Sequence, residues 1–261
     1  YLTHVCRLVL EETSLLPHAN PGTMARREIA ALQPFNPSMG MMLESTSEAL
    51  YAAGGPHEFA PSKRPRVRLR TLELAGELRV PFTTGILIGI GENRRDRIES
   101  LLAIGRLHAE FGHVQEVIIQ NFRAKPDTAM GDSPDAATDE FLWTVAVARL
   151  ILGPGINIQV PPNLSAENYQ IYLDAGINDW GGVSPLTIDF VNPEAPWPAL
   201  TDLRAKTEAA GFQLRPRLPI YPEYFLDTKD FLPEALHKRV IAMADSEGYV
   251  PGGMERYAGR N

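Results

Sequence analysis

Residues 80–91 read Val80-Pro81-Phe82-Thr83-Thr84-Gly85-Ile86-Leu87-Ile88-Gly89-Ile90-Gly91, the strongest strand signal of the chain, apolar, rich in β-branched residues and closed by glycine. Asn93 follows as an N-cap, and the spacing predicts a helix from there to about Phe111. A buried strand running directly into a helix is half of a βαβ unit, and the flanking sequence repeats the pattern. Upstream, a helix is predicted over 1–13, with Leu2, Val5, Cys6, Val9 and Leu10 at helical spacing. A strand over 15–18, a helix over 24–32, a strand over 38–43, a polar loop over 54–64 and a helix over 67–78 complete that side. Downstream come strands at 114–120, 156–160 and 178–180, and helices at 139–152, 166–175 and 199–210. Six strand–helix units result.

Six parallel units suit either an open doubly wound sheet or a barrel lacking two of its eight units. The dinucleotide fingerprint of the open sheet is incomplete, since Gly89-Ile90-Gly91-Glu92-Asn93-Arg94 has two glycines, lacks the third and lies mid-chain. The expectation is therefore an α/β fold, a partial TIM-type barrel over 1–214. From residue 215 the alternation stops and Pro216, Pro219, Pro222, Pro233 and Pro251 accumulate, so 215–261 reads as a covering C-terminal extension. The chain opens inside a helix with no N-cap and no initiator Met.

The length of 261 residues matches the roughly 250 of a single barrel domain. With 25 Lys and Arg against 32 Asp and Glu, the net charge of −7 gives no electrostatic case for nucleic acid. No run approaches the roughly 18 apolar residues of a membrane span, and the N-terminus lacks the form of a signal peptide, so a cytoplasmic protein acting on a small molecule is expected. Cys6 is the single cysteine, which excludes an internal disulfide and any multi-thiolate metal site built from this chain alone.

In a parallel barrel, ligands meet the residues at the carboxyl ends of the strands. Those positions are polar here: Glu44-Ser45-Thr46, Gly89 to Glu92, Gln120-Asn121-Phe122-Arg123, Gln159 to Asn163, and Asp179 to Ser184. Gly85, Gly89 and Gly91 leave backbone against which a flat ligand could lie, although a tight turn, with Glu92 near the next helix N-terminus, explains the same residues. Gln120, Asn121 and Arg123 offer donors suited to an oxygen-rich or heterocyclic ligand, or to surface capping. Trp180 reads as core. Asn163, held behind two prolines, suits a preset contact or an ordinary turn.

Residues 115–125, 158–164 and 179–187, with Leu16 to Gly22 and Ser38 to Glu44, resemble the 7,8-didemethyl-8-hydroxy-5-deazariboflavin synthase (FO synthase) family, over about residues 1–221. The resemblance implies a radical S-adenosylmethionine lyase. Such enzymes carry a 4Fe-4S cluster on a Cys-x3-Cys-x2-Cys loop after the first barrel strand and form a 5′-deoxyadenosyl radical. The radical acts on a hydroxybenzyl adduct of ribityl-diaminouracil, whose ring closure releases ammonia and gives the F420 chromophore. By the same resemblance, Gly85, Gly89, Gly91 and Glu92 match the family's fifth-strand motif, with Leu87 for its usual Ile. These residues would line S-adenosylmethionine, with Glu44 and Ser45 near its ribose. Asn121, Arg123, Gln159, Asn163, Asp179 and Ser184 form the inferred substrate-facing set, and no catalytic acid or base is assigned. The implied partner is the adduct-forming synthase, as a separate subunit or a fused domain. The cysteine triad and two barrel units are both missing, as expected if the parent's N-terminal portion is absent from this chain. Two alternatives are an adduct-forming or aminofutalosine-type sister enzyme and a cluster-less ligand-binding barrel.

Overall fold

The computed structural model describes residues 1–165, 170–184, 186–228 and 230–252. Its elements alternate as the sequence predicts: α1 (Leu2–Glu12), β1 (His18–Ala19), α2 (Arg26–Leu32), β2 (Ser38–Gly40), α3 (Pro65–Glu77), β3 (Phe82–Ile88), α4 (Arg94–Phe111), β4 (Val114–Asn121), α5 (Thr138–Leu152), β5 (Asn157–Gln159), α6 (Ile171–Ala175) and α7 (Leu200–Ala209). The strands form one parallel sheet in chain order, β1-β2-β3-β4-β5. Of the six strands expected, the last, at 178–180, is a single parallel bridge between Gln159 and Asp179. Of the helix expected over 166–175, residues 166–169 lie outside the described residues. Among the described residues β1 pairs only with β2, leaving an open edge where a complete barrel would close. The architecture is a partial parallel α/β barrel.

Strand alternation divides the sheet into two faces of opposite chemistry. Met39, Met41, Ile86, Ile88, Val117, Ile119 and Ile158 pack with Ile29, Leu72, Leu101, Ile104, Val145 and Ala148 of the helices in one large core. The alternate residues, Gly40, Thr83, Gly85, Leu87, Glu116, Ile118, Gln120 and Gln159, face the other way. At Phe82/Thr83 the register between β3 and β4 slips, so Thr83 pairs with Glu116 and Gln115 is extra. Both Gln115 and Glu116 consequently reach the Thr83 hydroxyl, at 3.2 Å each.

Asn93 caps α4 as predicted, its side chain accepting from the amides of Arg95 and Asp96. Beyond residue 214 the chain forms a second apolar cluster around Ile220, Tyr221, Phe225 and Val240, including a helix α8 (Glu234–Met243). The arm that leads into it is anchored on the sheet: the Pro219 carbonyl accepts from Ser38 Oγ and, at 3.3 Å, from Gln115 Nε2.

Gly85 pairs with Ile118 of β4, and a Cβ there would lie 2.1 Å from the Ile118 carbonyl oxygen and 2.8 Å from Met42 Cε. Gly85→Ala must therefore push the two strands apart. It is expected to lower stability by roughly 3 kcal/mol or more in urea unfolding, whereas Gly182→Ala, with open space around it, should change little.

Candidate active site

Glu44 follows β2 in the left-handed region, φ 66°, its amide donating to the Gly85 carbonyl at 2.9 Å and its carbonyl accepting from the Leu87 amide at 3.0 Å. That backbone turn sends the side chain into a cluster of donors. Lys63 Nζ lies 3.0 and 2.9 Å from the two carboxylate oxygens, Arg68 NH1 at 3.2 Å and His57 Nε2 at 3.3 Å. Burial pushes the Glu44 pKa upward, but the His57 hydrogen bond, the Arg68 charge and Lys63 outweigh it and hold the carboxyl down at about 2. One carboxylate against two fixed cations leaves a surplus positive charge, and the buried His57 Nδ1 and Tyr51 hydroxyl have no partner. Ser45 is buried beside it, its Oγ accepting from the Ser47 amide at 3.1 Å.

The glycine turn after β3 answers first to packing. The space of a Gly89 side chain is filled by Ala136 at 2.8 Å, and only Gly91 looks onto looser surroundings, with Leu50 at 3.7 Å. Glu92 differs from the ligand role expected of it: its carboxylate is buried, accepts from the amides of Gly89 and Ile90 at 2.8 and 2.9 Å, and pairs with Arg97 at 2.8 Å. It is the clasp of the turn, the reading that the sequence held open beside the ligand role.

At the ends of β4 and β5, Asn121 and Asn163 flank Leu164. Asn121 Nδ2 donates to the Leu164 carbonyl at 3.0 Å, and Asn163 Nδ2 to Asp189 and the Ala195 carbonyl at 2.9 and 3.2 Å. Each keeps a buried carbonyl oxygen with no partner, and that of Asn163 is an acceptor for a donor-bearing ligand. Alternation puts Asn121 on the helix side and Gln120 on the inner face. Arg123 is exposed and paired with Asp135 at 2.9 Å. Ser184 closes a turn by accepting from the amides of Leu186 and Thr187. Pro185, between them, lies outside the described residues.

Gln159 and Asp179 are brought together on neighbouring strands. Asp179 is fully engaged: its oxygens accept from Arg217 Nε at 2.6 Å, Arg217 NH2 at 3.2 Å, the Tyr221 hydroxyl at 2.7 Å and the Gly181 amide at 2.5 Å. Glu116, Arg217 and Tyr221 were missed by sequence reasoning. Their signal is a charged residue inside a strand-forming run and an arginine in a proline-rich tail, each ordinary by itself.

The implied cofactors fit unequally. A 4Fe-4S cluster needs three thiolates; Cys6 is the only cysteine, buried on α1 with Sγ 3.6 Å from Asn36 Oδ1, and no group of metal-binding residues occurs among the described residues. The residues of this chain do not fit the cluster. The Glu44 cluster does fit the methionine end of S-adenosylmethionine, with a carboxylate for its ammonium and surplus positive charge for its carboxylate.

Solved structures of similar shape include methylornithine synthase PylB, with a TM-score of 0.60 and 16% identity over 81% of this chain and 62% of that one. The FeFe-hydrogenase maturase HydG from Carboxydothermus hydrogenoformans gives 0.58 and 17% over 92% and 60%. These likenesses define the class of fold, an α/β barrel. No model of a protein family matches the chain. At the level of sequence it is 53% identical, over 95% of its length, to 7,8-didemethyl-8-hydroxy-5-deazariboflavin synthase of Methanopyrus kandleri, of which it spans 74%. It is 54% identical to the FO synthase of Streptomyces coelicolor and 52% to that of Mycobacterium tuberculosis H37Rv, spanning 95% and 94% of itself but only 29% of each of those proteins. The chain belongs to the FO synthase family.

Because Glu92 and Arg97 are a buried pair in which the acid also secures two amides, Glu92→Ala should lower stability by about 3 to 5 kcal/mol, read as a drop in the denaturant midpoint. An unchanged midpoint would return Glu92 to the ligand-binding set.

Proposed function

We propose that this chain forms the S-adenosylmethionine-binding and substrate-binding part of a radical S-adenosylmethionine FO synthase, which cyclises a hydroxybenzyl adduct of ribityl-diaminouracil to the F420 deazaflavin with loss of ammonia. The observation that carries this reading is the 53% identity over 95% of the chain to the Methanopyrus kandleri enzyme of that name. In this reading residues 1–214 are the barrel and 215–261 the extension that covers it, and the adduct comes from a synthase acting as a separate subunit or fused domain. A cytoplasmic site of action goes with these small-molecule substrates.

S-adenosylmethionine, once bound, supplies the 5′-deoxyadenosyl group that takes a hydrogen atom from the substrate. The cysteines for the cluster would have to come from outside these residues. Lys63 and Arg68 hold the carboxylate of the methionine moiety and Glu44 its ammonium, while Ser45 and the Gly85-to-Gly91 segment border the nucleoside. At the other strand ends, the spare carbonyl oxygen of Asn163 accepts from the ring N–H and amine donors of the adduct, the Gln120 and Gln159 amides border it from the inner face, and Asn121, from the helix side, positions the Leu164 backbone beside it. Asp179, whose oxygens are occupied, supports the pocket from behind.

The full-length protein, anaerobic and supplied with reductant, S-adenosylmethionine and the adduct, should produce deazaflavin fluorescence. Lys63→Met should weaken S-adenosylmethionine binding roughly tenfold and lower 5′-deoxyadenosine to match. Asn121→Ala should instead keep 5′-deoxyadenosine and lose deazaflavin. The reverse pattern would mean that the two pockets are exchanged, and no deazaflavin from the unaltered protein would contradict the function itself.

A further inference from the structure

Four side chains from distant parts of the chain meet on the inner face of the sheet: Glu116 of β4, Asp179 at the sixth strand position, and Arg217 and Tyr221 of the C-terminal arm. The Tyr221 hydroxyl lies 2.9 Å from Glu116 Oε1 and 2.7 Å from Asp179 Oδ2. A phenol has one proton to donate. It can satisfy one of these carboxylate oxygens, and the other contact holds only if that oxygen itself carries a proton. Charge counting gives the same answer, since Arg217, 2.7 Å from Glu116 and 2.6 Å from Asp179, offers one positive charge to two buried carboxylates.

We propose that Glu116 is held as a neutral carboxylic acid that donates to Tyr221 while Tyr221 donates to Asp179, and that this one retained proton fastens the C-terminal arm to the inner face. Glu116 is thereby a positioning residue for whatever binds there. The distribution follows from the surroundings. Asp179 has both Arg217 contacts from Nε and NH2 and the Gly181 amide, all of which favour its charged form. Glu116 has one Arg217 nitrogen and the Thr83 hydroxyl at 3.2 Å. Burial, with the Asp179 charge, pushes the Glu116 pKa up to about 7 against the pull of Arg217, while the Arg217 charge and hydrogen bond overcome burial and keep Asp179 below its ordinary value.

The other groups facing this cluster do not replace it as a switch near neutrality. His18 of β1 stands against Gly40 and Ser38, and burial followed by the Arg217 charge lowers it to about 4, so it is neutral throughout. Burial raises Tyr221 well above its ordinary range. Glu223, 3.2 Å from Asn157 Nδ2 and also raised by burial, is a further acid beside this floor. Because the folded state holds the Glu116 proton more tightly than the unfolded chain does, the stabilisation is complete below the ordinary value of 4.5. It declines as pH rises and is gone above the folded value of about 7.

The test is the full-length protein and its Glu116→Gln, Glu223→Gln and Tyr221→Phe variants, followed by thermal unfolding and by difference infrared spectroscopy of the protonated-carboxyl band between about pH 5.5 and 8.5. The unaltered protein and Glu223→Gln should lose several degrees of melting temperature between pH 5.5 and about 7 and level off above that, while the carboxyl band fades with its midpoint near 7. Glu116→Gln, a permanent neutral donor, should melt as the unaltered protein does at pH 6, hold that temperature at pH 8 and lack the band. Tyr221→Phe should melt lower at pH 6 and shift the band's midpoint. A Glu116→Gln protein already destabilised at pH 6, or one that keeps the carboxyl band or the alkaline loss, would overturn the proposal. So would an alkaline loss that disappears in Glu223→Gln.

Discussion

The pairing of β3 with β4, with its one-residue slip at Thr83, is the constraint on which the rest of the molecule depends. A parallel sheet sends alternate residues to opposite faces, so the slip decides which side chains of β4 meet the helices and which meet the interior. With it, Val117 and Ile119 enter the helix-packed core, while Gln115, Glu116, Ile118 and Gln120 line the inner face. Without it, β4 beyond Val114 would present Glu116 to the apolar helix side and Val117 to the interior. Gly85 permits the approach that this register requires, because no side chain fits between β3 and the Ile118 carbonyl.

From that face the two ends of the site take different characters. Toward the strand ends, the Glu44 cluster carries surplus positive charge and Asn163 keeps an unused acceptor, both arrangements that await a ligand. Toward the floor, Glu116, Asp179, Arg217 and Tyr221 satisfy one another, and the arm from residue 215 is pinned by them. A rigid floor beneath a polar rim is the division that a binding chamber needs, since the groups that contact ligand are held by groups that do not.

How much of this could be read from the sequence follows from the range of the interactions involved. The strand at 82–88, the Asn93 cap and the parallel order of the sheet rest on local periodicity and on chain-order packing, and the sequence carries both. The family resemblance carried the chemistry. The role of Glu92 turned on where its carboxylate points, and spacing alone left a tight turn and a ligand contact both open. Gln120 and Asn121 differ by one position, hence by face, and only the register of β4 against β3 separates them. Glu116 lies 101 residues from Arg217 and 105 from Tyr221, contacts that no local pattern encodes. The helix α8 was hidden by the prolines around it, which set the limits of short elements as readily as they mark loops.

The central claim is that the face carrying Gly85, Glu116, Gln120 and Gln159 is the one that meets ligand. The most direct measurement is thiol labelling of Gln120→Cys and Ile119→Cys, each made with Cys6→Ser in the full-length protein, with and without S-adenosylmethionine and the ribityl-diaminouracil adduct. The account predicts that the thiol at 120 reacts and is shielded by the ligands, while the thiol at 119 stays unreactive in the helix-packed core. Labelling at 119 shielded by the ligands, with 120 indifferent to them, would contradict it.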